Sequence, residues 1–365
     1  MYAKGVLIMN MRISKLGFAI ILLLLFLSSG IDGQASEINF NVKAILPENQ
    51  RSKEVSYFDL RVVPGEKQIL SVELINDTQE DVTIQASANS AITNDNGIVD
   101  YSYSDTKKDS SAAFTFSEIA KMPKNIVLPK KSSKIMECIV EIPEESFDGY
   151  VLGGLYFEQK GEAEEKSKGA LAVGNRFSYV VGVLLSETDK EVKPELALNK
   201  VQATQLNGNN AVIMNLQNKK PAMVKKLQLD AKLYYENETK PRYENHQESL
   251  AMAPNTNFNY KIDLKEQPFI AGNYTVKIKA NDGYKDWTWE KTFVIKEKEA
   301  KKYNATAINL PPNPKLGFPW TLVISIGAGI LVVILGIIYY FNQKLKKEQQ
   351  KQHEKYEELK KNLDK

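Results

Sequence analysis

The chain has 365 residues, 43% of them apolar and 25% charged, with a formal net charge of +3. That is enough apolar content to build the cores of two or three domains, and too little positive charge for the basic stripe of a nucleic-acid binder. A single cysteine, Cys138, excludes an intrachain disulfide, and two histidines, His246 and His353, are too few to hold a zinc ion by themselves.

The first apolar stretch, Leu16 to Leu27, follows Lys4, Arg12 and Lys15 and leads to Gly33-Gln34-Ala35. A basic start, about a dozen apolar residues and a small-x-small site describe a secretory signal peptide, residues 1–35. The stretch falls short of the ~20 residues that a spanning helix needs.

From Ser36 the pattern becomes strand-like. Period two in Gln68–Asn76 gathers Leu70, Val72 and Leu74 on one face, and Val82, Ile84, Ala86 and Ala88 continue the alternation. The polar break between these runs predicts a hairpin. Met136, Cys138, Val140 and Ile142 share a face, which makes Cys138 a buried small hydrophobe rather than a nucleophile. Residues 149–159 and 169–187 read as two long strands joined by a charged, solvated loop over 160–168. Gly153-Gly154 inside the first of them marks a bulge or a close backbone approach. A short helix is predicted near Ser117 to Lys121.

A second unit begins near Pro194. Residues 194–203, 211–218, 225–236, 257–264, 272–282 and 286–296 are strands of ordinary length, several separated by turn signals such as Asn207-Gly208 and Asn281-Asp282-Gly283. Beyond Glu297 the chain turns polar and reaches Pro311-Pro312-Asn313-Pro314, an extended stalk. Phe318 to Phe341 carries no charge and is long enough to span a bilayer. Trp320, Tyr339 and Tyr340 lie near its ends, and Lys344, Lys346 and Lys347 follow, placing the tail inside and the bulk outside. The expected architecture is all-β: two immunoglobulin-like β-sandwich domains (36–190 and 191–297), a proline-containing stalk (298–317), one transmembrane helix (318–341) and a basic cytoplasmic tail (342–365).

No motif points to catalysis. There is no glycine-rich phosphate loop and no Gly-x-Ser-x-Gly. His246 sits alone in a polar stretch, and acidic neighbours such as Glu144 and Glu145 are ordinary surface residues. Asn94, Asp95, Asn96 and Asp100 offer oxygens around Gly97, but a polar hairpin tipped by Asn-Gly explains them better than calcium does. Trp287 and Trp289 share a strand face, where core packing is favoured over a sugar platform. The expectation is a protein with no catalytic residue, no cofactor and no metal.

"FNVKAILPENQ" followed by "YFDLRVVPGEKQILSVELINDT", then "ANSAITNDNGIVDY" and "IPEESFDGYVLGGLYF", resemble the start of the WxL-interacting proteins of Gram-positive bacteria. "KPELALNKVQATQLNGNNAVIMNLQN", "MAPNTNFNY" and "PFIAGNYTVKIKA" are similar to that family's C-terminal module, in the same order. The resemblance implies a non-enzymatic surface protein in the cell membrane, facing the wall. Its first domain would bind peptidoglycan, and its second would bind WxL-domain surface proteins and, in some members, host extracellular-matrix components. An exposed sheet edge of the second domain offers a place for a partner strand. Within the matching motifs, Asn49, Gln50, Tyr57 and Tyr101 are the candidate ligand contacts. Each has a structural alternative: turn capping for Asn49 and Gln50, packing for the tyrosines. The competing readings are a wall-metabolising enzyme and an accessory subunit that signals through the tail.

Overall fold

Alternating burial in the sequence becomes two facing sheets in the first half of the chain. In the computed structural model, which describes residues 39–160, 177–308, 310–311 and 320–363, these sheets contain nine strands, and a small hairpin adds two more. The expected signal peptide, nearly all of the charged loop and most of the proline stretch lie outside the described residues. In chain order the elements are β1 (Asn41–Ile45), β2 (Phe58–Arg61), β3 (Lys67–Asn76), β4 (Val82–Ser90), the hairpin β5 (Ile92–Thr93) and β6 (Val99–Asp100), and helix α1 (Phe116–Ile119). They continue with β7 (Ala120–Lys121), β8 (Asn125–Leu128), β9 (Ser132–Glu141), β10 (Val151–Gln159) and β11 (Ser178–Ser186). One sheet runs β1-β3-β9-β7 and the other β2-β11-β10-β4-β8.

Leu70, Val72 and Leu74 of β3 and Met136, Cys138 and Val140 of β9 meet Ile84 of β4, Leu155 and Phe157 of β10, and Val183 and Leu185 of β11 in one core. Each such side chain contributes about 2 kcal/mol on leaving water. Burial pushes the Cys138 thiol up to about 12, so it stays protonated and inert. The predicted short helix is α1, closed by a capping box in which Thr115 and Glu118 satisfy each other's backbone.

The predicted hairpin between β3 and β4 is corrected by the structure: the two strands belong to different sheets. The reason is Asn76, which is buried. Its Nδ2 donates to the carbonyls of Glu80 (2.8 Å), Leu128 (3.1 Å) and Pro129 (3.0 Å), and its Oδ1 accepts from the Thr78 backbone and hydroxyl. That amide pins a corner where the chain crosses between sheets. Gly153-Gly154 marks a close approach and no bulge, since β10 and β11 keep register through Gly153↔Val183 and Gly154↔Gly182. A Cβ on Gly153 would strike the Phe116 ring.

The remaining strands are β12 (Leu196–Leu206), β13 (Asn209–Asn218), β14 (Val224–Tyr235), β15 (Tyr243–Met252), β16 (Thr256–Asp263), β17 (Gly272–Asn281) and β18 (Asp286–Ile295). They form a sheet β12-β13-β16 and a sheet β15-β14-β17-β18, giving a second immunoglobulin-like sandwich. Every second residue is buried in β14 (Leu227, Leu229, Ala231, Leu233) and in β16 (Phe258, Tyr260, Ile262). Strand β15 has no counterpart in the apolar alternation of the sequence. It is a polar edge strand, bulged where it pairs with β14, and His246 lies in it, exposed beside Glu248.

Described residues up to Gln202, together with Ile213–Ile262 and Thr275–Thr292, form one compact unit; Ala203–Val212, Asp263–Tyr274 and the described residues from Phe293 onward form another. Within the first unit, the β5–β6 hairpin and the loop after it are hydrogen-bonded to the segment 217–259. Thr93 bonds Thr256 (2.6 Å), the Gly97 carbonyl accepts from the Ala251 backbone (2.8 Å), and Asp95 accepts from the Asn259 backbone (2.8 Å). The Tyr150 backbone donates to the Pro221 carbonyl (2.7 Å); at Gly149, whose φ is +82°, a Cβ would collide with that same carbonyl.

Within the second unit, residues expected to be an extended stalk instead form helix α2 (Glu297–Thr306). Its polar side chains have specific partners there. Asn304 accepts from the Phe269 backbone (2.8 Å) and from Asn210 (2.9 Å) and donates to the Phe269 carbonyl (2.9 Å). The Tyr303 hydroxyl reaches the Ala203 carbonyl (3.2 Å), Thr306 bonds Gln205 (2.8 Å), and the Ile308 backbone donates to the Gly208 carbonyl (2.8 Å). Helix α3 (Trp320–Leu363) follows and runs on into the lysine-rich tail without a break. Its stretch Val323–Lys351 is long and apolar enough to cross a membrane, and none of it is buried by the protein.

Candidate functional site

The four candidate contacts divide into two places. Gln50 is buried and spent on the fold: its amide nitrogen donates to the carbonyls of Ser52 (2.9 Å) and Tyr57 (3.0 Å), and its oxygen accepts from the Asp59 backbone (3.2 Å). Of its two readings, the turn-capping one matches this geometry. Asn49 is exposed beside it, donating to the Arg61 carbonyl (2.8 Å) and to Gln68 (2.7 Å). It lines a hollow of about 310 Å³ with Arg61, Lys67 and Gln68.

Arg61 was not singled out by sequence reasoning. Its guanidinium pairs with Asp189 through Nη2, while Nη1 is buried with no hydrogen-bond partner. A lone arginine in a strand carries no sequence signal of this kind, because the pairing depends on a residue more than a hundred positions away. An unspent guanidinium N–H suits a carboxylate or carbonyl oxygen, and Arg61 is one of the residues that line the hollow.

Tyr57 and Tyr101 lie near each other on the outer face of the β11-β10-β4 sheet. The register aligns Gly182, Gly154 and Asn89 across three strands, so two adjacent positions on that face have no side chain. A Cβ on Gly154 would lie 3.0 Å from the Tyr101 ring, and one on Gly182 would lie 3.7 Å from the Tyr57 Cβ. Asn89 donates to the Tyr101 carbonyl (2.7 Å), and its own Oδ1 is buried without a partner. Burial, and to a smaller degree the Tyr57 phenol, raises the Tyr101 hydroxyl above its ordinary value. Tyr57 remains 40% exposed. The pair therefore covers bare sheet, as packing requires, and still presents ring surface to solvent.

The other motifs resolve as structure. Residues 93–100 form the expected Asn-Gly hairpin, with Asn94 Oδ1 accepting from the backbones of Asn96 (3.0 Å) and Ile98 (3.2 Å). Trp287 is 7% exposed with Lys285 over its ring at 5.2 Å, which fits packing and not a platform. Among the described residues, no group of three His, Cys, Asp or Glu side chains is placed to hold a metal ion.

Residues 40–159 match the model of the WxL Interacting Protein peptidoglycan binding domain, and residues 168–305 match that of the WxL Interacting Protein host binding domain. The chain belongs to the WxL-interacting protein family. The order of the two domains is the one that the motifs implied. No curated protein matches the sequence. Among solved structures, the E. coli chaperone DraB is 14% identical, the match covering 70% of this chain and 97% of that chain at a TM-score of 0.27. The YadV chaperone is 9% identical over 71% of this chain and 100% of that chain at a TM-score of 0.26.

In this WxL-interacting protein the host-binding match begins ahead of β11, yet β11 pairs with β10 and β2 in the sheet of the first sandwich. Sequence module and sheet therefore exchange a strand. Two binding domains and one apolar C-terminal helix, which fits a single-pass anchor, make this a cell-surface binding scaffold.

Proposed function

We propose that this WxL-interacting protein is a membrane-tethered, non-enzymatic scaffold that holds peptidoglycan with its first sandwich and recruits WxL-domain surface proteins with its second. A host extracellular-matrix protein is a further partner class for the second sandwich. The observation that carries the reading is the pair of binding-domain matches, in order, on a chain that ends in one unburied apolar helix. The signal-peptide pattern of residues 1–35 and the lysines after Phe341 support an outward-facing bulk with the tail inside. Tethering confines both sandwiches to the wall zone, where weak module affinities suffice.

On the first sandwich, Tyr57 and Tyr101 would offer ring faces to the sugar units, while Arg61 would offer an N–H group and Asn49 its side-chain oxygen to the stem peptide. The full-length protein in mild detergent should co-sediment with purified sacculi and leave them intact. Release of soluble muropeptides would overturn the scaffold reading in favour of an enzyme. The double variant Tyr57→Ala/Tyr101→Ala should retain about a tenth of the sedimented fraction, since losing a stacked ring costs on the order of 1 kcal/mol per sugar contact.

A further inference from the structure

A cavity of about 720 Å³ lies inside the first unit, away from the tyrosines and the Asn49 hollow. Residues 106–116 arch over it, Ser90–Thr93 and Tyr150–Leu152 line one side, and Asn199, Gln217 and residues 254–257 line another. Its size lies in the ordinary range for a site that encloses a small ligand.

The chemistry of the lining is specific. Across β12, β13 and β16 runs a ladder of side-chain amides: Asn199 donates to Asn215 (3.0 Å) and Gln217 (3.1 Å), and Asn215 donates to Asn257 (3.0 Å) and Asn259 (3.1 Å). Gln217 (2.6 Å) and Asn257 (2.5 Å) then each direct one N–H at the carboxylate of Asp109, at the foot of the arch. Asn199 and Asn215 spend both N–H groups within the ladder, whereas Gln217 and Asn257 each keep a second N–H, and the side-chain oxygen of Asn199 keeps its lone pairs. The amides fix one another's orientation, so they meet a ligand already aligned. Phe114 and Phe147, edge to face at 5.4 Å, also line the cavity and add apolar surface.

Neutral donors and acceptors in one lining with aromatic rings match a ligand with hydroxyls, N-acetyl amides and an apolar ring face. Asp109 and Asp148 are balanced in the lining by Lys107 and Lys108, and Asp148 is also paired with Lys190, so the site has no net charge to draw in an anionic stem peptide. We propose that this cavity is a glycan subsite that takes N-acetylated amino-sugar units of the wall polymer. The inference rests on the wall-binding reading above. It goes beyond that reading by assigning sugar contacts to Asn199, Gln217 and Asn257, residues of the module matched as host-binding. A glycan held there touches both the 90–152 and 199–257 segments and stiffens their junction.

The test titrates the full-length protein in mild detergent with the tetramer of β-1,4-linked N-acetylglucosamine, following heat of binding and melting temperature. Two variants accompany it. Ala113→Trp fills the cavity from its exposed rim, and Asn257→Asp replaces the amide that keeps a spare N–H by a carboxylate of the same size. Sacculus co-sedimentation is measured in parallel. The proposal expects saturable binding that raises the melting temperature, weakened about tenfold or more by either variant. Equal tetramer binding by wild type and both correctly melting variants overturns it. So does preference for a free stem pentapeptide over the tetramer. Sedimentation of wild type with no tetramer binding removes the subsite and leaves the wall-binding reading standing. Failure to sediment at all removes both.

Discussion

Two regions of the first unit are held by opposite physics. The interior of the first sandwich is apolar and continuous, from Leu70 and Cys138 on one sheet to Leu155 and Val183 on the other. The junction where residues 93–111 meet 217–259 is built from amides, hydroxyls and two carboxylates, Asp95 and Asp109. Apolar burial is non-directional and depends on area. A polar junction works only if every donor finds an acceptor, so it specifies one arrangement more sharply than it stabilises it. The first region makes the domain fold; the second decides how the hairpin and arch are placed.

The contrast predicts a graded set of effects, read by urea titration of the full chain in mild detergent. Leu155→Ala should cost the most, about 3 kcal/mol and independent of pH, because it opens a cavity at a fully buried site. An effect below about 1 kcal/mol there would mean that the core is looser than its packing implies. Gly149→Ala comes next, at about 2 kcal/mol, since a methyl group must displace the Pro221 carbonyl at a position with positive φ. Enhanced protease cleavage within residues 93–111 should accompany it.

Asp109→Asn should cost about 1 kcal/mol near neutral pH, the net value of an ordinary hydrogen bond, and its effect should depend on pH. Burial by itself would raise this carboxyl, but bonds from Ser111, Asn257 and Gln217 outweigh it and hold the group below its ordinary value. The folded protein therefore gives up that proton more readily than the unfolded chain. The resulting stability is complete above the unfolded value, near 4, and is lost as pH falls through the lower folded value. Wild type and variant should converge in acid and not in alkali. The smallest effect belongs to His246→Ala, within about 0.5 kcal/mol and with unchanged sacculus sedimentation, because that ring is exposed on an edge strand.

The same contrast explains what could be read from the sequence. Alternation in β3, β4 and β9 located the buried faces correctly because a half-buried strand has no other way to hide its apolar residues. It could not tell a hairpin from a corner, since that choice was made by one amide, Asn76, gathering three distant carbonyls. Strand β15 escaped notice because it is an edge strand whose first half is polar on both faces. At the candidate site, two tyrosines far apart in sequence were chosen singly. Only the register of Gly154 with Gly182 places them on one bare strip of sheet. The amide ladder left no trace in periodicity, because three strands contribute to it and an exposed asparagine looks the same whether or not it has a partner.

Helix α2 has a mechanical consequence. Its bonds to Phe269, Asn210, Gln205 and Ala203 lie a short way upstream of the apolar helix. The roughly dozen residues between Ile308 and Trp320 reach no further than about 40 Å even when fully drawn out. A pull on the lipid-embedded end would therefore be delivered to this latch before it reached any strand. Its several hydrogen bonds would share the load, so under the proposed tethering the latch would set how much tension the protein withstands before its base peels open.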